Sequence, residues 1–231
     1  MNLLTNLFYL PTDEWGDDAV RMTNIGVGTV VIAIVVMIAA ALIVYRIQSG
    51  SKSFKLTAKQ LTFSAMAVAI AVVASRIKMI DMPMGGSVTF FSMLFIVLIG
   101  YWYGPFAGIM TGMAYGLLQF VIEPIFYTVP QMLVDYPLAF GALGLAGFFA
   151  GKKHGLVLGY IAGVLGRYVF AFFSGVLFFA AYAPEGMGAA TYSFLYNGAY
   201  LMTEMILTLI VICLPPMAKA MERIRQMATE E

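Results

Sequence analysis

Apolar residues in this chain run in long blocks without alternation, and short polar breaks separate them. Seven blocks stand out, at about 25–45, 60–77, 88–103, 105–122, 131–150, 155–182 and 191–214. A helix needs ~20 mainly apolar residues to cross the ~30 Å hydrocarbon layer of a bilayer, and these blocks are close to that length. Inside lipid every backbone N–H and C=O needs an internal partner, so each block is predicted to be a helix. A membrane-spanning barrel would alternate apolar and polar positions, and Val30–Val44 does not. The predicted architecture is an all-α membrane protein with seven spans. A six-helix bundle over 60–214 follows one extra N-terminal helix at 25–45. Residues 1–24 form an acidic segment ahead of that helix, 46–59 a basic linker, and 215–231 a tail.

Composition strengthens this picture. Hydrophobic residues make up 61% of the 231 and charged residues 11%, with a mean hydropathy of +0.89. That is too little charge to cover a water-soluble domain of this size. The net charge of +1 argues against a nucleic-acid partner. Cys213, the single cysteine, excludes a disulfide framework within the chain. The block at 25–45 has neither a basic region before it nor a small-residue cleavage pattern after it, so it reads as a retained anchor.

Charge placement orients the spans. Nine of the thirteen basic residues fall into three clusters: Arg46, Lys52, Lys55 and Lys59; Lys152 and Lys153; and Lys219, Arg223 and Arg225. With seven spans these clusters share one side, which the positive-inside rule makes cytoplasmic. Asp13, Glu14, Asp17, Asp18, Asp81, Glu123 and Glu185 lie on the other side. The predicted orientation is N-terminus out, C-terminus in. The outward loops at 78–87, 123–130 and 183–190 carry prolines and glycines that suit either compact lids or ordinary connectors.

Small residues recur at helical spacing. Gly108, Gly112 and Gly116 form a stripe that lets two backbones approach closely. Ala65, Ala67, Ala69 and Ala71 form two staggered pairs, suited to packing or to docking another membrane subunit.

Three ionisable groups sit inside spans, where each is costly unless paired or facing a wet cavity: Asp135, Arg167 and Glu204. They fit either a structural ion-pair network or a polar pocket for a small cationic or amphipathic ligand. Gln131 and Tyr136 flank Asp135, Tyr192 and Asn197 begin the last span, and Phe172, Phe173, Phe178, Phe179 and Tyr182 cluster at the outer end of the sixth. Aromatic walls with a few orienting polar groups are typical of a small-molecule site. His154, the sole histidine, lies in a basic loop, and there is no Cys/His metal cluster, phosphate-cradling loop or nucleophile elbow. The residues point to neither an enzyme nor a metal or cofactor site. An ATP-driven system would need another chain for hydrolysis.

Several stretches carry a family resemblance: Gly85-Gly-Ser-Val-Thr-Phe-Phe-Ser-Met93, Tyr103-Gly-Pro105, Tyr115-Gly-Leu-Leu-Gln-Phe120, Gln131-Met-Leu-Val-Asp-Tyr-Pro-Leu-Ala-Phe140, Tyr182-Ala-Pro-Glu-Gly186 and Tyr192-Ser-Phe-Leu-Tyr-Asn-Gly198. Over about 58–214 the chain resembles the thiamine-specific S-components (ThiT/YuaJ family) of energy-coupling factor transporters. The resemblance implies a six-helix vitamin-binding subunit in a prokaryotic cell membrane, working with a transmembrane coupling subunit and two cytoplasmic ATPases. It implies docking through the alanine face around Ala65 and Ala69, and ligand contacts from Asp135, Tyr136, Arg167, Tyr192 and Asn197. Two positions depart from the family pattern, with Ala171 in place of a histidine and Phe179 in place of a tryptophan. Those departures leave a different vitamin open as the ligand. A solo secondary carrier that uses Asp135, Arg167 and Glu204 as an ion relay is the rival reading. The helix at 25–45 lies outside the resemblance.

Overall fold

A computed structural model of the protein describes residues 56–230, together with a short antiparallel pair of strands, β1 (Tyr9–Leu10) and β2 (Arg21–Met22). The span predicted at 25–45, the rest of the acidic segment at 1–24 and most of the basic linker lie outside the described residues.

Six helices form the bundle: α1 (Ala58–Arg76), α2 (Ser92–Tyr103), α3 (Pro105–Ile122), α4 (Val129–Phe149), α5 (Gly155–Phe178) and α6 (Ala189–Cys213). All but α2 are long and apolar enough to span a bilayer. A seventh helix, α7 (Pro215–Thr229), follows α6. Each of the six predicted spans within the described residues therefore corresponds to a helix. The boundaries move where local chemistry intervenes. The third block starts at 92 rather than 88 because Ser87–Thr89 is a strand and Phe91 adopts a left-handed conformation (φ 59°) ahead of the helix. The sixth block ends at 178 rather than 182, with a 3-10 turn over Ala180–Tyr182.

Local signals account for the helix ends. Thr57 and Gln60 form a reciprocal capping box at the start of α1, with Gln60 N–H donating to Thr57 Oγ1 at 3.2 Å and Thr57 N–H donating to Gln60 Oε1 at 3.1 Å. Gly104 at φ 93° ends α2, a conformation that favours glycine, and Pro105 then opens α3.

The shortest helix is the most enclosed. Met93, Ile96, Val97 and Ile99 of α2 are fully buried, which fits a helix that is apolar on every side. Tyr115, Leu143, Tyr160, Val164 and Leu201 surround it in one core. The α3–α4 seam is closer still. A Cβ added at Gly108 would lie 2.8 Å from the Cα of Gly144, and one at Gly112 would lie 2.9 Å from the carbonyl carbon of Phe140. The glycine stripe is thus internal packing against α4.

The alanine face of α1 divides. Ala67 and Ala71 are buried against the bundle, while Ala65 and Ala69 are exposed beside Leu61, Met66, Ile70 and Val73. Ala67 and Ala71, expected beside Ala65 and Ala69 as docking residues, are instead packed within the bundle. Positions 67 and 71 point the other way because residues two apart on a helix diverge by roughly 200°.

The loop expected at 78–87 is a hairpin. β3 (Lys78–Asp81) pairs antiparallel with β4 (Ser87–Thr89), with a register shift between Lys78 and Ile80. It sits at the end of the bundle that also holds Glu123. Lys59, Lys152, Lys153 and the charges of α7 gather at the opposite end, where Tyr103 donates to the Ala228 carbonyl at 3.0 Å and Lys59 Nζ meets the Glu230 carbonyl.

Candidate functional site

The hairpin end of the bundle encloses a cavity of about 470 Å³. Asp135, Tyr136, Arg167, Phe179, Tyr192, Asn197 and Glu204 all line it, so the structure brings together seven of the eight residues singled out from the sequence. Gln131 stands behind them. It is fully buried, donates to Asp135 Oδ2 at 2.7 Å and to the Ile125 carbonyl at 3.1 Å, and accepts from Tyr127 N–H at 3.0 Å. Its role is to hold Asp135 and the 125–127 turn.

α4 aims Asp135 through irregular winding. Residues Val134–Leu138 form a widened π turn that contains Pro137, and Ala142–Phe149 tightens into 3-10 geometry. Proline has no N–H to donate and its ring crowds the preceding turn, which a π turn relieves. Tyr136, one position on, ties the helix to the neighbouring loop: its hydroxyl donates to the Glu123 carbonyl at 3.0 Å and accepts from Ile125 N–H at 2.9 Å.

Arg167 lies with its guanidinium 3.9 Å from the centroid of the Phe140 ring. Among the described residues it forms no ion pair within 4.0 Å. The three intramembrane charges thus do not lock into a contact ion-pair network, and they remain presented to the cavity. Glu204 is 3% exposed. Its Oε2 accepts from both the N–H and the Oγ1 of Thr89, each at 2.8 Å, which fastens the hairpin to α6. Its Oε1 has no hydrogen-bond partner among the described residues, and the buried Ser174 stands on the cavity wall beside Asp135.

α6 supplies a stripe at four-residue spacing: Tyr192, Tyr196, Tyr200 and Glu204. Tyr192 and Tyr196 stack at 5.6 Å. The Tyr196 hydroxyl accepts from Gly86 N–H at 2.9 Å and meets the Pro83 carbonyl, a second tie to the hairpin. Asn197 donates to the Ala171 and Ser193 carbonyls and accepts from Tyr200 at 2.9 Å. At the rim, Phe179 meets Tyr127 edge-on at 5.3 Å, and the Tyr127 and Tyr182 hydroxyls share a hydrogen bond of 2.6 Å. That bond, aided by burial, pushes the Tyr127 hydroxyl from its usual 10.0 up to about 12.

The residues singled out from the sequence all lie on the fifth to seventh predicted spans, but the cavity reaches further. Ser75 of α1, Ser92 of α2, and Tyr115 and Gln119 of α3 also reach the cavity. Gln119 donates to the Tyr115 hydroxyl at 2.6 Å, and that hydroxyl donates to the Ala71 carbonyl at 3.3 Å. The four-residue tyrosine stripe is a readable signal for Tyr196 and Tyr200. Ser92 and Gln119 lie within the stretches that carry the family resemblance, whereas no signal in the sequence singles out Ser75. Of the aromatic cluster on α5, Phe173 is 54% exposed and points away from the bundle, and Phe178 packs against Val134, Leu138 and Leu177.

Comparison with known proteins identifies the family. The family model described as thiamine transporter protein (Thia_YuaJ) matches residues 61–223. The thiamine transporter ThiT of Bacillus subtilis is 36% identical over 165 residues, which cover 65% of this chain and 84% of the relative. The ThiT of Lacticaseibacillus paracasei is 30% identical over 118 residues, covering 44% and 59% respectively. The solved structure of ThiT from Listeria monocytogenes superposes with a TM-score of 0.56 at 27% identity, over 68% of this chain and 94% of that one. With its apolar helices, this chain is a multi-pass protein of the cell membrane, and it belongs to the thiamine transporter (Thia_YuaJ) family.

Proposed function

We propose that this chain is the substrate-binding subunit of an energy-coupling factor system for vitamin uptake and that it captures thiamine. The observation that carries the reading is the cavity at the hairpin end. Its aromatic walls surround Asp135, a carboxylate oriented by Gln131 and free of any ion pair among the described residues. Thiamine carries a fixed positive charge on an aromatic ring. A carboxylate in a poorly hydrated site stabilises such a charge far more than it would in water, and aromatic faces add cation–π attraction. Tyr192, Tyr200 and Phe179 offer stacking surface, and Asn197, Ser174 and the free Glu204 Oε1 offer hydrogen-bonding groups. Arg167 keeps the site from being doubly negative, which suits a monocation.

The positive-inside rule places the end with Lys59, Lys152 and Lys153 in the cytoplasm, so the cavity opens outward. No phosphate-cradling loop for ATP is found in the sequence, and energy is supplied by a coupling subunit and two ATPases, with Ala65 and Ala69 on the docking side of α1. The test is titration of the detergent-purified chain with thiamine, followed by uptake into liposomes that hold this chain alone. High-affinity binding with no accumulation is the expected result. Accumulation by the chain alone would replace this reading with a secondary carrier.

A further inference from the structure

A second cavity, of about 480 Å³, opens at the opposite end of the bundle. It lies where the ends of α2 and α6, the start of α5, and α7 meet. Three cationic or protonatable side chains reach it, Lys152, His154 and Arg225, against one carboxylate, Glu222. Arg225 is already oriented: its guanidinium lies 5.5 Å from the centroid of Tyr101 and 3.4 Å from Glu222. Lys152 sits 4.8 Å from the centroid of Phe149. The start of α5 adds to the positive field. His154 occupies its N-cap with no side-chain cap, and the first turn, including the cavity-lining Leu156 and Val157, presents its N–H ends here. The apolar part of the lining comes from α2, α5 and α6: Leu98, Trp102, Leu156 and Ile212.

A cationic mouth beside an apolar wall has the shape of a lipid, with an anionic head and a hydrocarbon tail. α7 places the mouth at the right level. Met221 and Ala228 face the bundle, whereas Met217, Ile224 and Met227 are exposed at 37%, 38% and 59% beside Lys219 and Arg223. A helix with exposed apolar residues next to basic ones lies in the headgroup layer. We propose that this crevice binds the phosphate of an anionic phospholipid in the cytoplasmic leaflet, with Arg225, Lys152 and the α5 N-terminus holding the head and Trp102 and Leu98 bordering the tail. Basic pockets between spanning helices on the cytoplasmic side have this preference. The inference rests on the orientation given above but not on the identity of the transported ligand.

The test uses the full chain, purified and delipidated in neutral detergent. Thermal stability and native mass spectra are recorded with phosphatidylglycerol, with phosphatidylcholine of the same acyl chains, and with inorganic phosphate alone. Phosphatidylglycerol is expected to raise the melting temperature and to survive as a bound adduct, and the other two to do neither. In Lys152→Gln/Arg225→Gln the apparent affinity for phosphatidylglycerol should fall roughly thirtyfold. Ala218→Phe, which fills the crevice without changing charge, should abolish the adduct. An unchanged far-UV circular dichroism spectrum and a monodisperse gel-filtration peak serve as the folding control in both variants. Equal stabilisation by the two lipids, an undiminished adduct in both variants, or reproduction of the shift by inorganic phosphate would each overturn the assignment.

Discussion

The two sides of α4 show opposite solutions to burying a helix in a membrane protein. On the side facing α3, Gly108, Gly112, Gly141 and Gly144 bring two backbones together with no side chain between them. On the side facing α5, Asp135 opens onto a cavity walled by the tyrosines of α6. Lipid offers no hydrophobic drive for helices to associate, so the first side depends on close van der Waals contact and tolerates no added atom. The second side holds volume open and places polar groups that no protein partner fully satisfies. The contrast teaches that rigidity and binding are divided between two faces of one helix. Its winding changes from π at Val134–Leu138 to 3-10 at Ala142–Phe149, so that it can serve both.

The sharpest way to separate the two faces is to change one and read the other. Asp135→Asn keeps an acceptor for Gln131 but removes the charge. Thiamine affinity should fall roughly hundredfold, about 3 kcal/mol for stripping one partner from a desolvated charge pair. Calorimetric titration checks this, and the melting temperature of the ligand-free protein should hold. A stability loss as large as the affinity loss would break the comparison. The converse change is Gly144→Ala, which forces the α3–α4 seam apart and should cost about 2 kcal/mol of stability. A lower melting temperature in detergent with unchanged thiamine affinity below the transition is the expected outcome.

Smaller effects refine how the cavity side is held. Glu204→Gln leaves Thr89 an acceptor but converts two charge-assisted hydrogen bonds to neutral ones, a loss of about 1 kcal/mol. Amide hydrogen exchange at Val88 and Thr89 should quicken roughly fivefold while the α3–α4 seam is unaffected. The Tyr127–Tyr182 pair gives the smallest effect. Because the folded-state hydroxyl of Tyr127 titrates above its ordinary value, the contribution of the pair is complete below pH 10.0 and is lost as the pH rises toward about 12. Tyrosine fluorescence should report a rim rearrangement across that window in the parent protein. Tyr127→Phe should remove that step and leave thiamine binding at neutral pH unchanged.

Much of the site is legible in the amino-acid sequence, for a specific reason. An ionisable group in an apolar helix is so costly that its presence alone marks function or pairing, so Asp135, Arg167 and Glu204 stand out. Tyr192 and Asn197 are legible through the family pattern. Ser75 is not, because a serine in a membrane helix can bond to its own backbone, as Ser75 does to the Val72 carbonyl, and carries no sign of facing a cavity. Helical spacing already separates Ala65 and Ala69 from Ala67 and Ala71, but which pair turns inward is decided by the bundle. The hairpin at 78–89 looks like a loop in the sequence because its strands are three and four residues long and its register is irregular.

By itself the sequence determined the helical class, the boundaries of six spans to within a few residues, the basic end and the glycine stripe. Each of these follows from local physics: backbone groups in lipid must be satisfied within their own segment, and charge is excluded from the hydrocarbon. The tertiary structure alone decided what meets what. Glu204 reaches Thr89 across 115 positions of sequence, and the winding of α4 turns Asp135 toward the cavity shared with Arg167 and the tyrosines of α6. Those contacts depend on how whole helices pack around a central α2, and no single segment encodes that geometry.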